Sequence, residues 1–150
     1  MNLRLAIQNN MGFADVPAHS TLRRWVRLAL EDSGDAEITL RFVDTREARR
    51  INRRFRRKDR ATSVLTFDYA CLPRLTADIV LCLPVIEREA RDQGKSRRAH
   101  LAHLVIHAVL HARGFDHVGS DDMRRMEGRE IALLSALRIG DPYESAGRKG

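Results

Sequence analysis

The chain has 150 residues, 43% of them hydrophobic and 31% charged, a balance that suits one folded domain with a core and excludes a disordered chain. Its 27 basic against 20 acidic residues leave a net charge of +7, which points to a polyanionic partner, nucleic acid first. No apolar run approaches the ~18 residues of a membrane span, so no membrane association is expected. Only Lys58, Lys95 and Lys149 are lysines. An arginine skew of this kind also follows from genome base composition, so where the charge sits matters more than its total. Met1 to Asn10 lacks the apolar stretch and cleavage site of a signal peptide, and the expected location is the cytoplasm. Cys71 and Cys82 follow no metal or redox spacing and are expected as reduced, buried or half-buried thiols.

Residues 3–8 alternate apolar and polar at Leu3, Leu5 and Ile7, which predicts a strand. Leu22, Trp25, Val26, Ala29 and Leu30 recur at helical spacing, with Ser20 or Thr21 as the cap and Gly34 as the stop. Ile38, Leu40 and Phe42 alternate in a second strand over 37–43. Thr45 then caps a helix whose apolar side is Ala48, Ile51 and Phe55. A short strand over 63–67, a loop from Asp68 to Arg74 and a continuous apolar strand from Asp78 to Leu83 follow, the last expected to be buried on both faces. Pro84 opens a helix over 85–93 that stops at Gly94. Ser96 opens a long one over 97–113 that stops at Gly114, and a final helix runs from Ser120 to Leu137. The tail from Gly140 to Gly150 is expected to fray. The order β-α-β-α-β-β-α-α-α predicts a single α/β (α+β) domain over 1–150, with a mixed sheet of about four strands and about five helices.

Five of the six histidines lie between residues 100 and 117. His107 and His111 are four apart on the predicted long helix, about 40° apart around its axis, so both imidazoles reach one ion. Gly114 can end that helix in the left-handed conformation and turn the chain back, which lets His117 supply a third nitrogen. Three imidazoles leave a tetrahedral position open for water, the arrangement of a catalytic zinc site, although nickel and copper also suit it. His103 shares the stripe one turn earlier and competes as a ligand. It is read as a neighbour of the site or part of the core, with His100 in solvent. The glutamate that follows the first histidine in zinc proteases is absent, since Ala108 stands there, and this weakens a peptidase reading. Asp116 is the nearest carboxylate in sequence and serves either as an acid/base group or to orient an imidazole.

Eight of the twelve residues from Arg49 to Arg60 are basic, among them Arg53, Arg54, Arg56, Arg57 and Lys58. Such density suits phosphate contacts, each guanidinium able to grip two oxygens; a solvated arginine face is the competing reading.

The run His103-Leu104-Val105-Ile106-His107-Ala108-Val109-Leu110-His111-Ala112-Arg113-Gly114-Phe115-Asp116-His117 resembles the HLxxHGxLHLxGYDH pattern of the YbeY family, metal-dependent endoribonucleases of ribosomal RNA maturation. Ile51 to Asp59 is similar to the family's LNxxYRxKD, Ala61 to Phe67 to its PTDVLSF, and Ala77-Asp78-Ile79 to its GDI. Met126-Glu127 through Pro142-Tyr143 is similar to its C-terminal ME…PY, so the likeness spans 37–144. Ala61, Ser63, Ala77, Ala108, Ala112 and Phe115 depart from these patterns, and none of them removes a ligand. The resemblance implies one zinc ion per chain on His107, His111 and His117, and a catalytic or RNA-binding role for Arg56. It implies single-strand-specific cleavage at the 3′ end of 16S ribosomal RNA and a part in ribosome quality control. The implied partners are ribosomal RNA, the small ribosomal subunit and its proteins, with no DNA expected. A ribosome-assembly protein with a mainly structural zinc, or a metal-dependent hydrolase of another substrate, is the alternative.

Overall fold

The computed structural model describes residues 2–31, 33–58, 60–70, 73–115 and 119–144. Its elements are β1 (Leu3–Gln8), α1 (His19–Leu30), β2 (Ala36–Val43), α2 (Thr45–Arg56), β3 (Val64–Ala70), β4 (Leu75–Cys82), α3 (Leu83–Asp92), α4 (Arg97–Ala112) and α5 (Ser120–Ala136). This is the element order read from the sequence: a four-stranded mixed sheet with five helices.

The local differences have local causes. Asp44, not Thr45, caps α2, its carboxylate accepting the Glu47 amide at 2.8 Å. The first residue of α1 follows Ala18, with no side-chain cap. That helix ends at Glu31, which takes a positive φ of 52°, ahead of Gly34. Glu31 is held there by Arg113 at 2.9 Å and by Arg129, which ties the end of α1 to the end of α4 and to α5. The expected loop from Asp68 is strand as far as Ala70, because the ladder with β4 continues through a bulge between Asp68 and Ala70. Ser96 caps α4, accepting from the Ala99 amide at 3.0 Å, and Gly114 takes φ 102° just past its end, as its stop role requires.

The sheet order is β1-β2-β4-β3. The first three strands run parallel, and β3 is antiparallel on the edge. Ile38, Leu40, Phe42, Ile79 and Leu81 point from one face into the main core, where α1 and α4 cover them. On the other face Val43, Leu65, Val80 and Cys82 meet Ala48 and Ile51 of α2 and Val85 of α3. The C-terminal half of β4 is thus buried on both faces, as its continuous apolar run predicts. Cys82 is a buried thiol, and Cys71 lies outside the described residues. The short α2 covers only part of its face, so Thr39, Arg41 and Asp78 stay half-buried beside it.

Helix α4 is the central strut. Leu101, Ile106 and Leu110 are fully buried, each contributing about 1.5–3 kcal/mol by leaving water. With apolar residues on nearly every other side, its histidines form one polar stripe.

Candidate metal centre

The stripe runs His100, His103, His107, His111, at helical spacings of three and four that place each ring over the next turn. His100, expected in solvent, is 4% exposed, because α3 packs on this turn and its Glu89 meets His100 Nε2 at 2.9 Å. Burial pushes the His100 pKa down, with the Glu89 bond opposing.

Glu130 of α5 organises the next two turns. Its side chain is 0% exposed. His103 Nε2 lies 3.1 Å from its Oε2, His107 Nδ1 bonds to Oε1, and the Tyr143 hydroxyl donates to Oε2. Burial by itself would raise this carboxyl. The bonds to His103, His107 and Tyr143 outweigh it and bring the pKa down to about 2. A carboxylate has no proton to give, so all three partners donate to it. Tyr143 is in turn held well above the ordinary phenol value, by burial first and then by its bond to Glu130.

Sequence reasoning did not find Glu130, although a signal was present. It sits on the buried stripe of α5 with Met126, Leu133 and Leu134, where an unpartnered carboxylate would cost several kcal/mol. Of the tail expected to fray from Gly140, Pro142 accepts a hydrogen bond from Lys95 and Tyr143 reaches Glu130; residues 145–150 lie outside the described residues.

Donor atoms of His103, His107 and Glu130 lie within 4.8 Å of one another, a group able to hold a metal ion. Two imidazoles and a carboxylate suit a divalent metal such as zinc. Among the described residues, Nδ1 of the half-buried His103 is itself enclosed and has no hydrogen-bond partner; with Nε2 donating to Glu130, a neutral ring leaves its lone pair there uncommitted. His111 stands half-buried one turn past His107. Asp116 and His117, the other residues read as site members, lie outside the described residues.

The arginine segment lies at the far end of α2. Arg53, Arg54, Arg56, Arg57 and Lys58 are all exposed. Arg50 is instead committed to Glu47 at 2.7 Å. Arg56 donates from Nη2 to the Thr66 carbonyl at 2.8 Å, on the free edge of β3, and lies 5.4 Å over the Phe67 ring. Phe55, expected to face the core, is 59% exposed. The buried side of α2 is Ala48, Ile51 and Asn52. By the level of Phe55 the helix has reached the sheet edge, where the Phe67 ring meets it edge to face at a centroid distance of 5.6 Å. Buried Asn52 was also missed. It donates to the Arg60 carbonyl at 3.0 Å and fixes the loop that leaves α2 through Arg57 in the left-handed conformation.

The fold is a mixed α/β domain in which histidines of the central helix α4 and a carboxylate of α5 form a group able to hold a metal ion, with a run of exposed arginines at the end of α2 near the edge strand. A family model described as endoribonuclease YbeY matches residues 6–138, and the chain belongs to that family of RNA phosphodiester hydrolases. A protein named Endoribonuclease YbeY from Thiobacillus denitrificans is 50% identical over 145 residues, covering 95% of this chain and 97% of the relative. Another of that name, from a Polaromonas species, is 55% identical over 123 residues, covering 81% and 79%. A Thermotoga maritima protein solved in solution shares the fold, with a TM-score of 0.58, 23% identity and 99% coverage of both chains. No helix among the described residues is long and apolar enough to cross a membrane.

Proposed function

We propose that the protein is a zinc-dependent endoribonuclease that cuts single-stranded ribosomal RNA in the cytoplasm, at the 3′ end of 16S RNA and in ribosome quality control, with the small ribosomal subunit and its proteins as partners. The observation that carries this reading is the buried Glu130 carboxylate bonded to both His103 and His107. A carboxylate on Nδ1 of a histidine fixes the tautomer and leaves Nε2 as a lone-pair donor, the usual support of a metal-ligating imidazole. His107 is thereby committed to the Nδ1–H form. Nε2 of His107, His111 on the next turn and His117 beyond Gly114 would hold the ion, with His103 and Asp116 beside them.

A zinc ion bound there supplies Lewis-acid polarisation of the scissile phosphate. The chain's own residues do the rest. Arg56 is held by the Thr66 carbonyl and the Phe67 ring, so its remaining N–H groups are oriented before substrate arrives and offset the charge that grows on the phosphate oxygens. Arg53, Arg54, Arg57 and Lys58 stand in solvent, where they bind flanking phosphates and position the strand. The Glu130 network keeps His107 aligned throughout.

The test is cleavage of one RNA sequence presented as a single strand and as a duplex. The zinc-loaded protein is expected to cut the single strand, to lose activity on chelation and to regain it with zinc; DNA of that sequence should survive. End groups identify the attacking oxygen: a 2′,3′-cyclic phosphate marks the ribose hydroxyl, and a 5′-phosphate beside a 3′-hydroxyl marks water. Absence of cleavage by the zinc-loaded protein would remove this reading.

A further inference from the structure

The part of the sheet that α2 leaves uncovered is a groove of about 570 Å³, a size typical of ligand sites. Its walls are aromatic, and Thr39, Arg41 and Asp78 set polar groups among Ile51 and Val80. Phe55, Phe67 and Tyr69 line it, three of a complement of only five phenylalanines, two tyrosines and one tryptophan. Phe55 is 59% exposed and Tyr69 is 64% exposed, so both hold apolar ring surface in water. Neither is a stray surface residue. The Phe55 ring meets Phe67 edge to face at 73°, with the Arg54 guanidinium 5.4 Å from its centroid, so the ring is fixed while much of its surface stays open.

Tyr69 is placed by the bulge in β3. Asp68 pairs with Ala77 and Ala70 with Thr76, which leaves Tyr69 as the extra residue on the edge strand. A bulge re-aims the side chain it carries, and here the Tyr69 hydroxyl donates to Asp78 Oδ2 across the groove at 2.9 Å. That bond, with burial, raises the Tyr69 pKa and keeps the hydroxyl a donor. Asp78 has no cation within ion-pair distance among the described residues, and its carboxylate retains free acceptor capacity.

We infer that this groove is a stacking platform for single-stranded RNA, in which Phe55 and Tyr69 take the faces of successive bases and Asp78 accepts a hydrogen bond from a base edge. The inference rests on the RNA substrate proposed above and deepens it. Charge sets the strand's orientation. Arg41 of the floor is tied to Glu47 at 3.1 Å, which leaves the Asp78 carboxylate to repel phosphates, while Arg54 against the Phe55 ring and the exposed Arg53 and Arg57 beside it in sequence attract them, so bases point inward and the backbone outward. Rings recognise bases without regard to sequence, because every base has a π-face, and a duplex cannot offer those faces. β3 links groove and metal centre: its inner face carries Phe67, Arg56 holds its edge, and α4 packs against its other side.

The experiment measures binding of a short oligoadenylate by fluorescence anisotropy, and of an oligomer carrying 2-aminopurine by quenching. It compares the zinc-loaded wild type with Phe55→Leu, Tyr69→Leu and Phe55→Trp. Both positions are exposed, so leucine leaves the core untouched and keeps an apolar side chain while removing the ring. Each leucine variant should weaken binding on the order of ten-fold and lose quenching, with the salt dependence of wild type, because no phosphate contact is removed. Phe55→Trp should bind at least as tightly as wild type, and a blunt RNA duplex should be insensitive to all three changes. Leucine variants that bind oligoadenylate as wild type does, while wild type still cuts RNA, would overturn the groove and leave the nuclease standing; a protein partner would then be its occupant. Equal losses for strand and duplex would also overturn it. A wild type that neither binds nor cuts RNA would remove the proposed function and the groove with it.

Discussion

The two sides of β3 are built on opposite principles. On the α4 side a carboxylate with no solvent exposure is surrounded by two histidines and a tyrosine, each held by packing and by the others. On the α2 side five basic residues and two large aromatic side chains stand in water with few partners. The contrast separates two demands. Donors for one ion need fixed directions, which come from burial and full hydrogen bonding. A flexible polyanion needs charge and open ring surface, which burial would remove.

The largest expected effect breaks the buried side. Glu130→Ala leaves His103, His107 and Tyr143 without their shared acceptor, and removing one member of such a buried set costs about 3–5 kcal/mol. Thermal unfolding of the metal-free protein should show a Tm lower by roughly 10 °C, and zinc affinity should fall about 10–100-fold. A Glu130→Ala protein as stable as wild type would mean that the network holds nothing in place. The exposed side gives the next effect. Arg56→Lys keeps the charge and loses the fork, so single-turnover cleavage at saturating protein should fall about 100-fold with little change in RNA affinity, whereas Arg57→Lys should cleave as wild type does. Smaller again is the triple change of Arg53, Arg54 and Arg57 to glutamine. Each lost phosphate contact should reduce the slope of log affinity against log salt by about 0.7, and an unchanged slope would return the segment to a solvated face.

The smallest effect concerns His100, whose folded pKa burial lowers from the ordinary 6.5. The unfolded chain then takes up the proton first, so the folded state loses stability as pH falls through about 6.5, until the folded histidine protonates as well. Chemical denaturation of the metal-free protein between pH 7 and 5 should therefore show a shallower loss for His100→Gln than for wild type. Parallel curves would contradict the burial argument.

What was legible in the sequence follows from the range of the interactions involved. All nine elements announced themselves locally, because alternation, helical spacing, Ser96 and Gly114 act within a few residues. The histidine stripe was equally plain. Glu130 was not, because its partners lie 23 and 27 positions away and only the packing of α5 on α4 joins them. Phe55 misled for the opposite reason. Its spacing from Ile51 is that of a core position, but a helix buries a residue only where something lies beneath it, and there the sheet runs out at β3. His100 erred in the same way, since Glu89 and α3 cover it from another element.

The most direct test of the account is a titration of zinc into metal-free protein with the RNA cleavage rate followed at each addition. Cleavage should rise in proportion to bound zinc and level off at one equivalent per chain, while His107→Ala should neither bind the equivalent nor gain activity. Cleavage already complete in the metal-free protein, or unchanged in His107→Ala, would contradict the claim that the histidine stripe and its buried carboxylate form the catalytic centre.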